Sequence, residues 1–338
     1  MAVTIKRLAA HCGLSVSAVS KALNNYPDVS DKTRQAVLRA AEELGYRASA
    51  TAVSLKTGRS RMLGVIYADE SQSGFTHSYF SPVLQSFREE SERRGYDLVF
   101  VSTREGMSSL DHCRFRGVDG VCIVCCTSYD TPDIQELMNS DLPLVGIDHV
   151  VNGRSCIASE NRQGMTELMN YILARGHRRI AYIHGEPTSV GMDRITAFRR
   201  AMSSAGLPVP DSYIVQGKYH HPADARRTML GLLSLPEPPT CILMPDDYSA
   251  LGGIEAIRSQ GLRIPEDVSI AGYDGVPVLQ MCDPPLTTVA QDAAAIGAAA
   301  ARKLVHLIEF PDTTFNEIIS IPSRLIPGST VADLNAAP

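Results

Sequence analysis

The residues with the clearest chemical potential are four aspartates, each placed directly after an apolar run that is typical of a buried strand. Asp148 follows LVGI, Asp246 and Asp247 follow CILMP, and Asp274 follows SIAGY. In open parallel sheets, ligands bind beyond the carboxyl ends of the strands. Carboxylates at that edge can accept paired hydrogen bonds from sugar hydroxyls. We therefore expect these aspartates to contribute to one cleft for a small polyhydroxylated ligand.

Two other side chains fit that chemistry. Arg194 can donate hydrogen bonds in the plane of the carboxylates, and Tyr219, in GKYHHP, can offer an apolar platform for a pyranose face. A phosphorylated ligand would require more cations than Arg194, so the pattern favours a neutral sugar. A purine or a phosphosugar is the alternative, and the sequence does not identify the sugar.

Catalysis is not indicated. Asp246 and Asp247 are neighbours in sequence, so their side chains point apart, and no activated Ser, Cys or His arrangement accompanies them. The chain contains neither a GxxxxGK[S/T] loop nor a GxGxxG motif. His220 and His221 are interpreted as a polar loop. We predict that the protein is not an enzyme.

The cysteines do not indicate a metal centre. Cys122, Cys125 and Cys126 form the only cluster among the eight, and they lie in VDGVCIVCC, which is typical of a buried strand. No second ligand pair follows at zinc spacing. We expect core packing for these thiols and predict no metal and no cofactor.

The first residues, VTIKRLAAHCGLSVSAVSKALNN, predict a helix-turn-helix. Thr4 can cap a helix that runs through His11, Gly13 can take the positive φ of a sharp turn, and Ser15 can cap a second helix from Val16 to about Asn24. The second helix would then present its first side chains to a phosphate or a base edge.

A third helix should follow and complete a small head. Ser30 is a suitable N-cap for a helix from Asp31 to Leu44, and Gly45 should end it. The segment 49–56 is compatible with a further helix of about two turns, which is marginal alone. We interpret it as a hinge that folds on DNA.

The charge distribution also separates the head from the rest. Through Arg61 the chain has ten Lys and Arg against four acidic residues, a balance of +6, which leaves −11 for the remainder of the total of −5. Lys and Arg contacts to phosphate supply most sequence-independent affinity for DNA. The asymmetry therefore favours a nucleic-acid partner for the head only.

From Met62 onward, apolar strands alternate with amphipathic helices, which predicts parallel sheets. The strands MLGVIYA to SCIAS suggest one lobe, at about 61–159, and the strands RRIAYIHG to VSIAGYD suggest a second, at about 160–290. An Ala-rich helix, one final strand and a tail follow the second lobe. Only sixteen residues separate Val101 from Val118, so a helix between them must be short or absent.

Three segments resemble the LacI/GalR (lactose-repressor) family of transcriptional regulators. They are VTIKRLAAHCGLSVSAVSKALNN, DVSDKTRQAVLRAAEELGY and AVSLKTGRSRMLGVI, and later segments fit too, so the resemblance covers nearly the whole chain. In that family the head reads an operator in the major groove, hinge helices insert a leucine into the minor groove, and a periplasmic-binding-protein-like body binds an effector. The resemblance implies a sequence-specific regulator, expected to be a repressor, under the control of a carbohydrate-like effector.

The fold implied is a small all-α helix-turn-helix head, 1–46, a hinge and linker, 47–60, and an α/β body of two parallel-sheet lobes, 61–338. A transport-type sugar-binding receptor is the alternative that the body alone would allow. The basic head argues against it, as does the lack of an N-terminal export pattern. No run approaches the roughly 20 apolar residues of a membrane span, so we expect a cytoplasmic protein without a membrane partner.

The resemblance also assigns residues to two sites. The DNA-binding residues expected are Thr4, Val16, Ser17, Ala18, Ser20, Lys21, Asn24, Ser30 and the minor-groove residue Leu55. The effector-binding residues expected are Asp148, Arg194, Tyr219, Asp246, Asp274 and Gln291. Direct base readout looks modest, because Val16 and Ala18 can make only apolar contacts. A Leu55 wedge would add specificity through the deformability of the DNA.

Two departures from the family pattern stand out. Ala48 and Ser49 stand where the family usually carries a Pro-Asn pair before the hinge helix, and Val53 stands where it carries an Arg within that helix. The smaller number of polar groups puts the usual hinge contacts to the DNA backbone in doubt. No leucine heptad follows the last helix before Pro338, so a homodimer is favoured over a tetramer. Two-fold symmetry implies a pseudo-palindromic operator.

Overall fold

The computed structural model describes residues 3–47, 54, 57–68, 74–102, 106–126, 128–150 and 153–335. The chain divides into two compact units, Met1–Arg61 and Met62–Pro338. They are the head and the body. Among the described residues, no helix has both the length and the apolarity needed to cross a bilayer.

The head contains the three predicted helices: α1 Ile5–Cys12, α2 Val16–Leu23 and α3 Asp31–Leu44. Leu8, Val19 and Val37, one from each helix, are fully buried against each other in a common core. This small core fixes the angle between the two helices of the helix-turn-helix.

The ends of these helices are set by the residues that the sequence indicates. Thr4, Ser15 and Ser30 are N-caps whose hydroxyl oxygens accept hydrogen bonds from the backbone N–H three residues later. Gly13 and Gly45 end α1 and α3 in the left-handed conformation, at φ of 63° and 64°. The predicted head is confirmed at the level of helices and caps.

The body has two parallel sheets, as predicted. The first contains six strands, which are β1 Met62–Tyr67, β2 Asp97–Phe100, β3 Gly120–Cys125, β4 Leu144–Ile147, β5 Ser155–Ser159 and β11 Ile318–Ile321. The second contains four strands, which are β6 Ile180–His184, β7 Ile214–Gln216, β8 Cys241–Leu243 and β9 Ser269–Ala271. The strand order is β11-β5-β4-β3-β1-β2 in the first sheet and β7-β6-β8-β9 in the second.

Helices cover these sheets and bury their apolar faces. They are α4 Phe80–Arg93, α5 Ser109–Arg116, α6 Pro132–Met138, α7 Asn161–Ala174, α8 Ser189–Ser204, α9 Pro222–Leu233, α10 Asp247–Ser259 and α11 Ala293–Glu309. The helix expected between Val101 and Val118 is present but short, since α5 has eight residues. Each lobe has its own core, and the carboxyl ends of the strands of both sheets open toward the other lobe.

The C-terminal return links the two lobes. α11 packs on the first sheet beside α4, whereas β10, Thr288–Gln291, and β12, Ser323–Ile326, form a separate antiparallel pair. The prediction of one final strand is wrong, because β11 and β12 are separate strands that join different sheets. Pro322 stands between them, and its missing N–H interrupts the ladder.

Candidate functional site

A cavity of about 230 Å³ lies between the two lobes of the body, at the carboxyl ends of the strands. Seven of its eighteen lining residues have ring side chains: His77, Tyr79, Phe80, Tyr129, His149, Tyr219 and His220. Its charged lining residues are Asp148, Glu186, Arg194 and Asp274. A ring-lined cavity with a few convergent polar groups is typical of a small-molecule site.

Asp148 enters the cavity from the end of β4. Its Oδ2 accepts a hydrogen bond from the Tyr79 hydroxyl at 2.8 Å, and its Oδ1 accepts one from the Ser159 N–H at 3.3 Å. Burial raises the pKa of Asp148, and the bond from Tyr79 and the charge of Arg194 oppose that rise. The carboxylate is thus held in place but is only partly compensated.

Asp274 occupies the corresponding position at the end of β9 in the second lobe. It is 8% exposed, and its Oδ1 accepts a hydrogen bond from Gln291 Nε2 at 2.7 Å. Burial raises the pKa of Asp274 well above its usual range, while Arg194 acts in the opposite direction. Gln291 Oε1 is buried and has no hydrogen-bond partner among the described residues. An orphan acceptor in a cavity wall calls for a donor on the ligand.

Arg194 is held in place mainly by groups outside the cavity lining. Its Nε donates to Asn161 Oδ1 at 2.8 Å and its Nη1 donates to the Pro245 carbonyl at 3.1 Å. The guanidinium carbon lies 3.5 Å from the centre of the Tyr273 ring, which is a cation–π contact. These contacts fix the plane of the guanidinium while one edge of the residue lines the cavity.

Asp246 and Asp247 lie behind the cavity wall and do not line it. Asp246 is fully buried and caps α10, since its oxygens accept hydrogen bonds from the N–H and hydroxyl of Ser249 and from the N–H of His220. Asp247 accepts hydrogen bonds from Thr288 and from the Val276 N–H. Asp246 thus supports the loop that carries His220, and the effector contact expected of it stays a prediction.

His220 lies in a loop, as the sequence indicates, but this loop lines the cavity, which the sequence analysis did not predict. Its ring Nδ1 lies 3.4 Å from Asp246 Oδ1, and its ring centre lies 4.0 Å from that of His77 in the other lobe. His221 instead caps α9 by accepting a hydrogen bond from the Asp224 N–H. Tyr219 lines the cavity, as predicted, and its N–H donates to Glu186 Oε2 at 2.9 Å.

Backbone strain is concentrated at this cavity. Asp148, His220 and Asp274 have φ of 56°, 50° and 111°, and within the described part of 62–335 they are the only non-glycine residues with positive φ. Such conformations cost about 1–3 kcal/mol each and persist where the surrounding structure enforces them. The coincidence of all three with one cavity supports a functional site, independently of the chemistry of the side chains.

Several lining residues were not found from the sequence. Tyr129, His149 and Glu186 each follow a strand of the sheets, so the rule that selected the aspartates could have selected them as well. His77 does not follow a strand, so that rule could not have selected it. Its Nδ1 accepts hydrogen bonds from the N–H groups of Tyr79 and Phe80 and so caps the start of α4, a role that histidine rarely has.

The cysteine prediction is only partly right. Cys122 is fully buried, but Cys125 and Cys126 are half-buried at the end of β3 and line the cavity. Burial raises the pKa of the Cys126 thiol to about 12, so it stays protonated at neutral pH.

The head presents the start of α2 at its surface. Val16 is 41% exposed, and with Ser17, Ser20 and Lys21 it borders a shallow depression that also includes Ile5 and Tyr26. Ala18 is half-buried on the same helix. The Lys21 ammonium forms an ion pair with Asp28.

The remaining head residues predicted to bind DNA have structural contacts of their own. Thr4 and Ser30 are exposed N-caps, and Asn24 Nδ2 donates to the Ser20 carbonyl at 2.6 Å. Leu55 lies outside the described residues, as do the hinge positions Ala48, Ser49 and Val53. The wedge role of Leu55 stays a prediction.

Comparison with known proteins finds one family model in the head and another in the body. Residues 4–49 match the model of bacterial regulatory proteins of the lacI family, and residues 169–331 match a periplasmic binding protein-like domain. The HTH-type transcriptional repressor PurR of Pasteurella multocida is 32% identical over 313 residues, which cover 90% of this chain and 92% of that protein. The chain belongs to the LacI family.

Solved structures of other LacI-family regulators have the same fold as this LacI-family protein. A transcriptional regulator CelR–cellobiose complex matches with a TM-score of 0.71 and 26% identity, covering 97% of this chain and 99% of that one. The lac repressor dimer bound to operator and the anti-inducer ONPF matches with a TM-score of 0.81 at 24% identity, covering 98% and 100%. Both matches extend over nearly the whole chain, so this protein shares the fold of these two regulators.

Proposed function

We propose that this LacI-family protein is a cytoplasmic transcriptional repressor whose affinity for a DNA operator changes when a small carbohydrate-like molecule binds between the lobes. The observation that carries the effector site is the cavity with strained Asp148 on one lobe and strained Asp274 on the other. The helix-turn-helix supports the DNA-binding role and distinguishes the chain from a transport receptor. No catalytic activity is proposed.

A carbohydrate effector is supported by the groups that face the ligand. Asp148 and Asp274 accept hydrogen bonds, Arg194 donates them, and Tyr219 contributes a ring on which a sugar face can pack. The related regulator in complex with cellobiose shows that this fold accommodates sugars. A phosphosugar is disfavoured, since Arg194 is the only Lys or Arg among the described residues of the cavity lining.

Operator contacts are assigned to the exposed start of α2. Val16 offers an apolar contact suited to a thymine methyl group, while Ser17, Ser20 and Lys21 can reach base edges or phosphates. Thr4, Asn24 and Ser30 are placed to support contacts to the DNA backbone. We assign the minor-groove wedge to Leu55 on the family pattern alone.

Homodimerisation is supported by apolar side chains exposed on both lobes of the body. Phe75 and Phe100 of the first lobe are 63% and 45% exposed, and Val278 and Met281 of the second are 61% and 85% exposed. The ring centres of Phe75 and Phe100 lie 5.0 Å apart, so these two side chains form a contiguous patch, and contiguous exposed apolar patches mark interaction sites. A two-fold dimer would place two heads on a pseudo-palindromic operator.

The test begins with the full-length protein and random-sequence DNA. Selection of bound duplexes should yield a pseudo-palindromic site, and fluorescence anisotropy should then show that one of a panel of sugars changes affinity for it. Asp274→Asn should abolish the response to the sugar while leaving operator affinity intact. Selection without any sequence preference would contradict the regulator, and a response to nucleobases alone would replace the sugar with a purine.

A further inference from the structure

More carboxyl groups than Lys or Arg side chains lie among the described residues of the cavity lining. Asp148, Glu186 and Asp274 line the cavity against the single cation Arg194, and Asp246 is buried directly behind the wall. Buried carboxylates are normally paired with cations, because an unpaired buried charge is costly. A ligand that brings a positive charge would reduce this cost.

Arg194 acts on Asp148 and Asp274 through its charge but forms no close ion pair with either carboxyl group. Within the described part of the chain, no ion pair of 4.0 Å or less joins Asp148 or Asp274 to a basic side chain. Two of the Arg194 nitrogens are committed to Asn161 and Pro245. The carboxylates are therefore left to the ligand.

Several possible acceptor atoms lie close together at the Asp274 end of the cavity. One polar atom each of His220, Asp246 and Asp274 lie within 4.8 Å of one another. Gln291, which is 9% exposed and bonded through Nε2 to Asp274, adds the orphan acceptor Oε1 beside them. A protonated amine has three hydrogen-bond donors and no acceptor, which matches a group of neighbouring acceptors.

The ring-rich walls add to the same preference. Tyr219 lines the cavity near Gly191 and Glu186, and Tyr79 and Phe80 line it from the other lobe. Aromatic rings attract cations through the negative potential of their faces.

A metal ion fits this end of the cavity less well. The Asp246 carboxylate already accepts hydrogen bonds from Ser249 N and Oγ, at 2.7 and 2.8 Å, and from His220 N at 2.8 Å. Its oxygens would have to abandon these bonds to coordinate a metal. An ammonium group needs only the charge of Asp246 and can bond directly to Asp274 and Gln291.

We propose that the effector is an amino sugar whose protonated amine is bound by the Asp274 carboxylate and Gln291 Oε1. This inference rests on the proposed sugar-responsive function and specifies the class of sugar. Without a bound cation, burial raises the pKa of Asp274 well above its usual range. Binding of the ammonium group should therefore release a proton from that carboxyl group.

The experiment compares matched sugars on the full-length protein by isothermal titration calorimetry at pH 6.5. The probes are the amine, the neutral parent and the N-acetyl derivative in the gluco, galacto and manno series. In at least one series, we expect the amine to bind at least tenfold more tightly than both the neutral parent and the N-acetyl derivative. Titration in buffers of different ionisation enthalpy should show proton release on binding of the amine only.

Variants localise the effect. Asp274→Asn should reduce the preference for the amine over the parent at least tenfold, and Gln291→Leu should reduce it to a smaller degree. Asp267→Asn removes an exposed carboxylate of the same lobe and should leave the preference unchanged. Circular dichroism confirms folding of each variant, and the wild-type comparison stands without them.

Each result bears on either the inference or the function beneath it. If a neutral parent binds as tightly as its amine and alters operator affinity, the amine is wrong and the sugar-responsive regulator is supported. If Mn²⁺ or Zn²⁺ alone stabilises the protein and removes the amine preference, the acceptors form a metal site instead. If no sugar of any series binds, the amino-sugar effector is wrong, and the DNA-selection experiment decides the regulator separately.

Discussion

Asp247 should make the stability of the body depend on pH, and Asp247→Asn should remove that dependence. The side chain is fully buried, and burial raises its pKa to about 7. Asn has nearly the same shape. Its carbonyl oxygen can still accept from the Val276 N–H, and its amide group can donate to the Thr288 hydroxyl once that group reorients. The substitution therefore removes a titrating proton with little change in packing.

The magnitude follows from the two pKa values. Below about pH 4 the Asp247 carboxyl is protonated in both the folded and the unfolded chain. Between roughly 4 and 7 the unfolded chain ionises first, so the free energy of unfolding falls by about 1.4 kcal/mol for each pH unit. The total loss is about 4 kcal/mol across the window, and it stays constant above the folded pKa.

The assay is urea unfolding from pH 4.5 to 8, followed by far-ultraviolet circular dichroism because the chain contains no Trp. The free energy of unfolding of Asp247→Asn relative to wild type should rise by about 3–4 kcal/mol across this range. Asp267→Asn is the matched control, since its bonds from Arg263 hold the pKa of Asp267 at about 2, below the window. Parallel curves for wild type and Asp247→Asn would refute the reasoning.

Three other perturbations test particular contacts. Gly297→Ala should destabilise the body by about 1–3 kcal/mol in urea unfolding, because the added Cβ would lie 2.1 Å from a carbonyl oxygen of α4. Gly231→Ala is the control: its added Cβ would have no atom within 4 Å, so this substitution should be neutral or stabilising. Asp28→Asn should free Lys21 to bind a DNA phosphate and so raise the affinity for nonspecific DNA. In anisotropy titrations at several salt concentrations, the slope of log affinity against log[salt] should become steeper by up to about 0.9. An unchanged slope would show that Lys21 does not reach the DNA backbone. Ser15→Ala removes the cap of α2 and should destabilise the head by about 1 kcal/mol in thermal unfolding, with unchanged stability of the head counting against the cap.

The head was predictable because its signals are local. Thr4, Ser15 and Ser30 cap the helices that follow them, and Gly13 and Gly45 end the helices that precede them. Each signal acts within one turn of the residue that carries it, so no knowledge of the tertiary fold is needed. The boundaries of the three helices followed directly.

The cavity was predictable only in part, because a strand-end aspartate has two competing uses. Asp148 and Asp274 turn into the cavity through a positive φ, whereas Asp246 has extended φ and ψ and caps α10. Ser249, three residues after Asp246, supplies the N–H and hydroxyl that hold this cap. A search for a capping partner would have separated the two cases before the structure was known.

Other features depended on contacts between distant segments. His77 lines the cavity because α4 starts immediately after it and because His220 of the opposite lobe meets its ring. Pro322 divides the last strand because the residues before it pair with β5 and the residues after it pair with β10, in two different sheets. Neither pairing leaves a periodic pattern along the chain.

The position of the cavity explains how a small ligand can alter the whole body. Among the described contacts across the cleft are the hydrogen bond from Ser189 Oγ to the Asp148 carbonyl, at 3.2 Å, and the contact between the rings of His77 and His220. A ligand that bonds to Asp148 and Asp274 together adds a direct connection between the lobes. Since its full set of bonds exists only when the lobes are closed, its affinity must differ between closed and open bodies. That difference sets the upper limit on how far the ligand can change the affinity for DNA.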